Sequence, residues 1–405
     1  MKIVPNILQY LLAFFIIIEC NSIYGYFIKP SIKGGIIFML FFILVIFNIL
    51  KTQKNLKILL RIFISIFIWE LIALILLQLA DEKIVFSFKY ILVVPLVFFY
   101  FANTKYSQVL QFLSKFSNIM VILTIISIIM WVLCSVLGII KPIGVVPIEW
   151  GDLNFFKSYY YLYFETQKFD FGIFGDLVRN TGVFVEAPMF NFCLCVALGI
   201  ELFLNITKSN KFNKFILIIG ILTTISTTGQ IYLIFVFFIK CFLLNNNGTL
   251  KKVGISFVFI PIGIAISFFA LQIIMSEKAK GGSYEDRKSN IESNINQWNK
   301  SPFLGNGYAT ARQENNSNSF FLLLQEGGIL MISFYVFGLL LMPLYKSLKT
   351  KNYNYFVFFG LIFYLFCITI VLYNYFLILF VALGFAINMI NTTQPQSNTY
   401  KLLKK

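Results

Sequence analysis

The sequence predicts an all-α, polytopic membrane protein of about 12 transmembrane helices with two large external loops. Three observations lead there. The 405 residues are 59% hydrophobic and 12% charged, with a mean hydropathy of +0.83. A soluble domain has roughly half its residues apolar and about a quarter charged, so this much apolar surface requires lipid as its solvent. Apolar runs of the ~20 residues needed to cross the hydrocarbon core recur along the chain. Basic residues collect in alternate gaps between those runs, as they do in loops retained in the cytoplasm.

The first run, about 4–20, ends at Glu19-Cys20 with no small-residue cleavage site, so it is read as a retained span and not a signal peptide. Runs at about 34–50, 58–80, 89–103 and 116–140 follow, with Lys51, Lys54, Lys57 and Arg61, then Lys105 and Lys115, in alternate gaps. Residues 141–183 form the first large loop. Runs at about 184–205, 214–228, 230–246 and 253–275 lead to the second, 276–318, and runs at 319–345, 354–371 and 373–391 close the series. Nineteen of the 33 basic residues fall on one predicted side with no Asp or Glu among them, which puts both termini in the cytoplasm. The chain reads as one integral membrane domain, 1–405.

Composition also excludes function classes. The net charge of +16 is a topological signal in a membrane protein, so no nucleic-acid partner is expected. The absence of His removes His-ligated metals, His general bases and haem held by His. The six Cys lie inside apolar runs without metal-ligand spacing and read as packing residues. No metal and no cofactor is expected.

The two long loops are rich in Tyr, Trp, Asn and charges of both signs. Long ordered loops carry function disproportionately, and aromatic content argues against disorder. The active face is therefore expected outside. The first loop ends "GDLVRNTGVFVEAPMFNF", with Arg179 two helical turns before Glu186 where the next span begins. Charges there are costly unless paired or used. They read either as an interfacial Arg with a snorkelling Glu, or as an anion-binding Arg with a polar partner.

In the second loop, Ser283 and Asp286 have capping-box spacing, and Ile291, Ile295 and Trp298 recur at helical spacing. This predicts an external amphipathic helix ended by Pro302, with Arg287 on its apolar stripe and Lys288 beside it. An Arg there suits a carboxylate or a phosphate, whose oxygens its planar fork bonds in pairs. Gly305-Asn306-Gly307 then makes a tight turn near Arg312.

Arg287, Trp298, "SPFLGNG" at 301–307, "SNSFF" at 317–321 and Glu326-Gly327-Gly328 together resemble the second-loop pattern of the O-antigen polymerase and O-antigen ligase superfamily. "RNTGVF" at 179–184, with the Glu and Pro after it, resembles that superfamily's first-loop pattern. The resemblance covers some 60 residues. It implies a GT-C-like membrane glycosyltransferase in the bacterial cytoplasmic membrane. Such an enzyme moves a growing glycan from undecaprenyl diphosphate to the non-reducing end of a new lipid-linked repeat unit. Implied partners are the undecaprenyl-diphosphate-linked oligosaccharide, membrane lipid, a chain-length regulator and a flippase. Carried onto this chain, Arg179, Arg287 and Glu186 become the catalytic candidates, and Lys288, Gly305, Gly307, Arg312, Asn318 and Glu326 the substrate-binding ones. Asp176 and Glu285 are weaker candidate bases, and a phosphate of the substrate could take the proton instead. Two departures bear on this. Ser317 stands where ligases carry His, which favours a polymerase, and Gln230 stands near a Ser-Arg of many relatives. A ligase-type transferase and a lipid-linked oligosaccharide flippase are the alternatives. For Glu326 a hydrogen bond to a neighbouring span competes with contact to substrate.

Overall fold

In the computed structural model the described residues are 3–49, 56–150, 153–170, 176–204, 210–244, 249, 283–310, 318–369 and 374–389. The helices are α1 (Ile3–Glu19), the single turn α2 (Ile23–Tyr26), α3 (Pro30–Ile49), α4 (Leu56–Leu79), α5 (Lys83–Asn103) and α6 (Tyr106–Val136). After the first loop come α7 (Ala187–Phe203), α8 (Lys211–Thr223) and α9 (Thr227–Phe238). After the second loop's helix α10 (Ser283–Trp298) come α11 (Ser319–Thr350), α12 (Asn354–Ile368) and α13 (Tyr375–Ala386). Among the described residues α3, α5, α6, α11 and Leu59–Leu79 of α4 are long and apolar enough to cross a bilayer. The protein is a helical membrane protein. Each predicted run overlaps one of these helices except 253–275, which lies outside the described residues. α6 starts ten residues before the run expected at 116, because its first turns carry the polar Gln108, Ser114 and Lys115 that hydropathy discounts.

The helices alternate in direction, so their ends form two faces. On one, the end of α1 meets the start of α13, where the Glu19 carboxylate accepts the Tyr375 amide N–H at 2.9 Å. An acid at a helix N-terminus is stabilised by the exposed amides and the helix dipole. The first long loop leaves from this face, and α11 starts on it; it is called here the loop face. On the opposite face Asn48 donates to Thr104 Oγ1 at 2.7 Å, and Lys115 Nζ donates to Gln9 Oε1 at 2.6 Å. α7 and α13 are buried almost throughout and form the centre of the bundle. α4 is peripheral, with only 22% of its span buried.

The first loop departs from the all-α expectation. It folds into the antiparallel sheet β1 (Gly144–Trp150), β2 (Leu153–Tyr159), β3 (Tyr163–Glu165) and the pair β4 (Lys168–Asp170) with β5 (Asp176–Val178). Side chains alternate along β1 and the start of β2. Val146, Ile148, Phe156 and Phe164 point inward onto Ile23 and Val185, while Val145, Pro147 and Phe155 face out. This is the period-2 pattern of a half-buried sheet. Tyr159 donates to Glu165 Oε2 at 2.8 Å while Lys157 pairs with the other oxygen at 3.3 Å. Burial, then that hydrogen bond, pushes the Tyr159 phenol above its ordinary value.

The predicted amphipathic helix is present as α10, starting at Ser283 and ending at Trp298, ahead of the expected stop at Pro302. The chain after it explains "PFLGNG". α11 is broken at Gly328, whose φ of 58° and ψ of −163° only glycine adopts readily. Around the break, two carbonyls and two amides are bonded by the 302–307 loop. Asn306 N and Gly307 N donate to the Gln325 and Glu326 carbonyls at 2.8 and 2.9 Å. Ile329 N and Leu330 N donate to the Pro302 and Phe303 carbonyls at 2.9 and 3.1 Å. The backbones are in contact: a Cβ on Gly305 would lie 2.4 Å from the Glu326 carbonyl carbon.

Gly328→Ala is expected to destabilise the protein by at least about 2 kcal/mol, combining left-handed strain with backbone overlap. Gly360→Ala, at a helical glycine with nothing within 4 Å, is expected to be neutral or stabilising by up to ~1 kcal/mol. Thermal unfolding of the two variants in one detergent checks this, and equal midpoints would contradict this latch of the 302–307 loop on α11.

Candidate functional site

The segment 179–186 is woven into the loop face residue by residue. Thr181 Oγ1 donates to the Phe164 carbonyl at 2.9 Å, and Phe164 N returns to the Gly182 carbonyl at 3.1 Å, tying the segment to β3. Ile23 N donates to the Val183 carbonyl at 2.9 Å and Val185 N to the Asn21 carbonyl at 3.1 Å, tying it to the α1–α2 turn. Asn180 is fully buried. Its amide nitrogen donates to Thr223 Oγ1 at 3.0 Å, and its side-chain oxygen accepts from Ser127 Oγ and, at 3.1 Å, from Gly182 N. One side chain thus joins α6, the end of α8 and the turn at Gly182.

This weave aims Arg179. Its Nε donates to the Thr224 carbonyl at 2.9 Å and its Nη1 to Gln167 Oε1 at 3.3 Å. Gln167 Oε1 also accepts the Ala187 amide at 3.1 Å. Glu186, half-buried, occupies the N-cap position of α7 with extended backbone. A guanidinium therefore lies beside the N-terminus of α7, and Thr224, which holds it, is three residues before α9. Helix N-termini carry partial positive charge, and a fixed cation beside them makes a field suited to an anion. Gln167 thus ties Arg179 to the first turn of α7, next in sequence to Glu186.

The remaining candidates fall in three groups. Asn318 caps α11: its Oδ1 accepts from Phe320 N at 2.9 Å and Phe321 N at 3.3 Å, while its Nδ2 donates to the Cys367 carbonyl. Gly305 and Gly307 belong to the latch, where a Cβ on Gly307 would overlap the Leu79 carbonyl. Glu326 is buried at the break of α11, against a small cavity shared with Tyr308, Phe86 and Met331. Lys288 is exposed on α10. The side chains of Asp176, Glu285 and Arg287, and the whole of Arg312 and Ser317, lie outside the described residues.

Sequence reasoning passed over Gln167, Asn180, Thr223 and Thr224. Asn180 stood inside a quoted motif, but an amide between Arg and Thr carries no signature until its partners on distant helices are known. The α8–α9 turn did carry one signal, the polar run Thr223-Thr224 before Ser226 between two apolar helices. Ile225 in that turn has a φ of 49°, a conformation rare for a β-branched residue. The chain matches no known protein-family model, no characterised protein and no solved structure.

Asn180→Ala removes the partner of three donors or acceptors at a fully buried position, each worth roughly 1–3 kcal/mol when left unmet. It is expected to lower stability by about 3 kcal/mol. Gln167→Ala, at a half-buried position, is expected to cost about 1 kcal/mol. Thermal unfolding of each variant measures both, and a smaller loss for Asn180→Ala than for Gln167→Ala would contradict the keystone role.

Proposed function

We propose that the protein is a polysaccharide polymerase: a glycosyltransferase using lipid-diphosphate donors on the outer side of a bacterial cytoplasmic membrane. The observation carrying this reading is the placement of Arg179 beside the N-terminus of α7 by Gln167 and Thr224. The two-loop motif order and the basic residues of the opposite face support it further. On this reading the charge bias supports an orientation with both termini, and the opposite face, in the cytoplasm.

A hydroxyl of the incoming lipid-linked repeat unit attacks the anomeric carbon of the growing glycan. The bond from that carbon to the undecaprenyl diphosphate oxygen breaks, and its electron pair leaves with the diphosphate. Negative charge grows on that leaving group in the transition state, where a fixed cation lowers the barrier most. Arg179 takes that role, assisted by Arg287 and Arg312 of the second loop. The hydroxyl proton passes to a carboxylate, for which Glu186 is best placed by its position next to the Arg179 site. A chain-length regulator and a flippase are the expected protein partners.

One observation favours a second reading, transport of the lipid-linked oligosaccharide. α11 is a broken helix, and broken helices form ion and substrate sites in transporters. Here four backbone groups around the break are bonded by the 302–307 loop, so they offer nothing to a moving substrate.

Purified protein in liposomes, supplied with the source cell's undecaprenyl-diphosphate repeat unit, is expected to yield a ladder of regularly spaced products. Arg179→Ala and Arg287→Ala should reduce that yield by about 100-fold or more, the size of effect seen when a transition-state charge partner is removed, while the variants stay folded. Transfer of the repeat unit between leaflets, with no ladder, would identify a transporter instead.

A further inference from the structure

On the side of the bundle away from the sheet, α4 stands off from α5, α11 and α13 and leaves a half-enclosed cavity of about 340 Å³. Trp69, Ile72, Phe98, Phe334, Phe337 and Phe385 line much of it. Two serines also line it, but both turn inward: Ser65 Oγ donates to the Arg61 carbonyl at 2.9 Å and Ser333 Oγ to the Leu330 carbonyl at 2.7 Å. The cavity is therefore apolar despite two hydroxyls. Its lining comes from the middle turns of membrane-spanning helices, Ser65–Ile72 of α4 and Leu330–Met342 of α11. The rim residues Ile68 and Phe337 are 53% and 45% exposed. At that depth exposure means contact with lipid, so the mouth opens sideways into hydrocarbon.

We infer that this cavity binds one acyl chain of a membrane phospholipid. At bilayer mid-depth no water is available to fill a void, and an unfilled one forfeits the dispersion contacts of its whole lining. The occupant must be hydrocarbon. Its size follows from the volume: at roughly 30 Å³ per methylene-sized unit, the share of one water in the liquid, the cavity takes on the order of ten carbons. That is a stretch of one hydrocarbon chain, and the chains that surround the mouth in a bilayer are phospholipid acyl chains. The site is also held open. Trp69 donates its indole N–H to the Tyr90 carbonyl at 2.7 Å, in the π-helical turn Ser87–Val93 of α5, and its ring stacks on Phe334 at 3.8 Å. This strut sets the spacing of α4 from the bundle. The inference is independent of the enzymatic reading.

Trp69 is 6% exposed and lines the cavity, so it reports on an inserted chain. The protein would be reconstituted in phosphatidylcholine carrying bromine on its acyl chains, a contact quencher of Trp emission, at several chain positions. Subtracting the Trp69→Phe variant isolates the Trp69 signal. Emission is expected to fall about two-fold or more, with bromine near mid-chain most effective, because quenching needs van der Waals contact. Ser333→Phe, which fills the cavity, should restore it. No quenching by any bromine position, or equal quenching in Ser333→Phe, would overturn the site. If Ser333→Phe does not fold, a flat dependence on bromine position in the native chain overturns it alone. Recovery of emission on adding a few mole per cent of undecaprenyl phosphate would overturn the acyl-chain assignment in favour of an isoprenoid.

Discussion

A lipid bilayer offers no water to an unpaired backbone group, and the second half of this protein is organised by that constraint. α11 is interrupted at Gly328. The 302–307 loop bonds two carbonyls and two amides around that break and so acts as part of the helix. The glycines follow from the distances: Gly305 and Gly328 lie against backbone so close that a Cβ would meet atoms at 2.4–2.5 Å. Tyr308 then continues the contact, its carbonyl accepting Asp81 N at 3.1 Å and its ring packing edge-on to Phe86. The loop is therefore clamped between the top of α4 and the break in α11, and α10 is carried with it.

The first loop meets the same demand with a sheet. One face packs Phe156 and Phe164 onto Ile23 and Val185, the other packs Tyr159 and Tyr163 onto Met130 and Cys134 of α6, and its last segment delivers Arg179 to the α7 N-terminus. The two loops thus differ in kind. One repairs a membrane helix, and the other builds a platform from which a cation is aimed.

Much of this architecture was legible in the sequence. Among the described residues the apolar runs located the helices, with ends within a few residues except at α5, α6 and α9, because membrane insertion is decided by composition over a window. α10 was legible because Ile291, Ile295 and Trp298 keep a helical period, although its most buried described residue is Asn294, a polar one. The sheet was not legible as a whole: its strands are three to seven residues long, and aromatic content there was read for function and not for alternation. At the site, Arg179 and Glu186 were visible as charges near a span. The tie from Arg179 through Gln167 to the Ala187 amide is not, since it depends on β3 and β4 lying beside the segment. The glycines of "PFLGNG" were read as a turn, and only the broken α11 explains why two are needed.

The latch also has a consequence for biogenesis. The loop's docking surfaces are Leu79 and Asp81, made early in synthesis, and Gln325 to Leu330, made more than 200 residues later. α11 therefore has to leave the translocation machinery before its bonds to the loop exist. A continuous helix satisfies its own backbone during insertion, so the break belongs to a later step, when 302–307 settles against α4. Closing so long a span of chain is entropically slow compared with forming a helix. Maturation of the loop face would thus trail insertion, with quality control acting on chains already in the membrane.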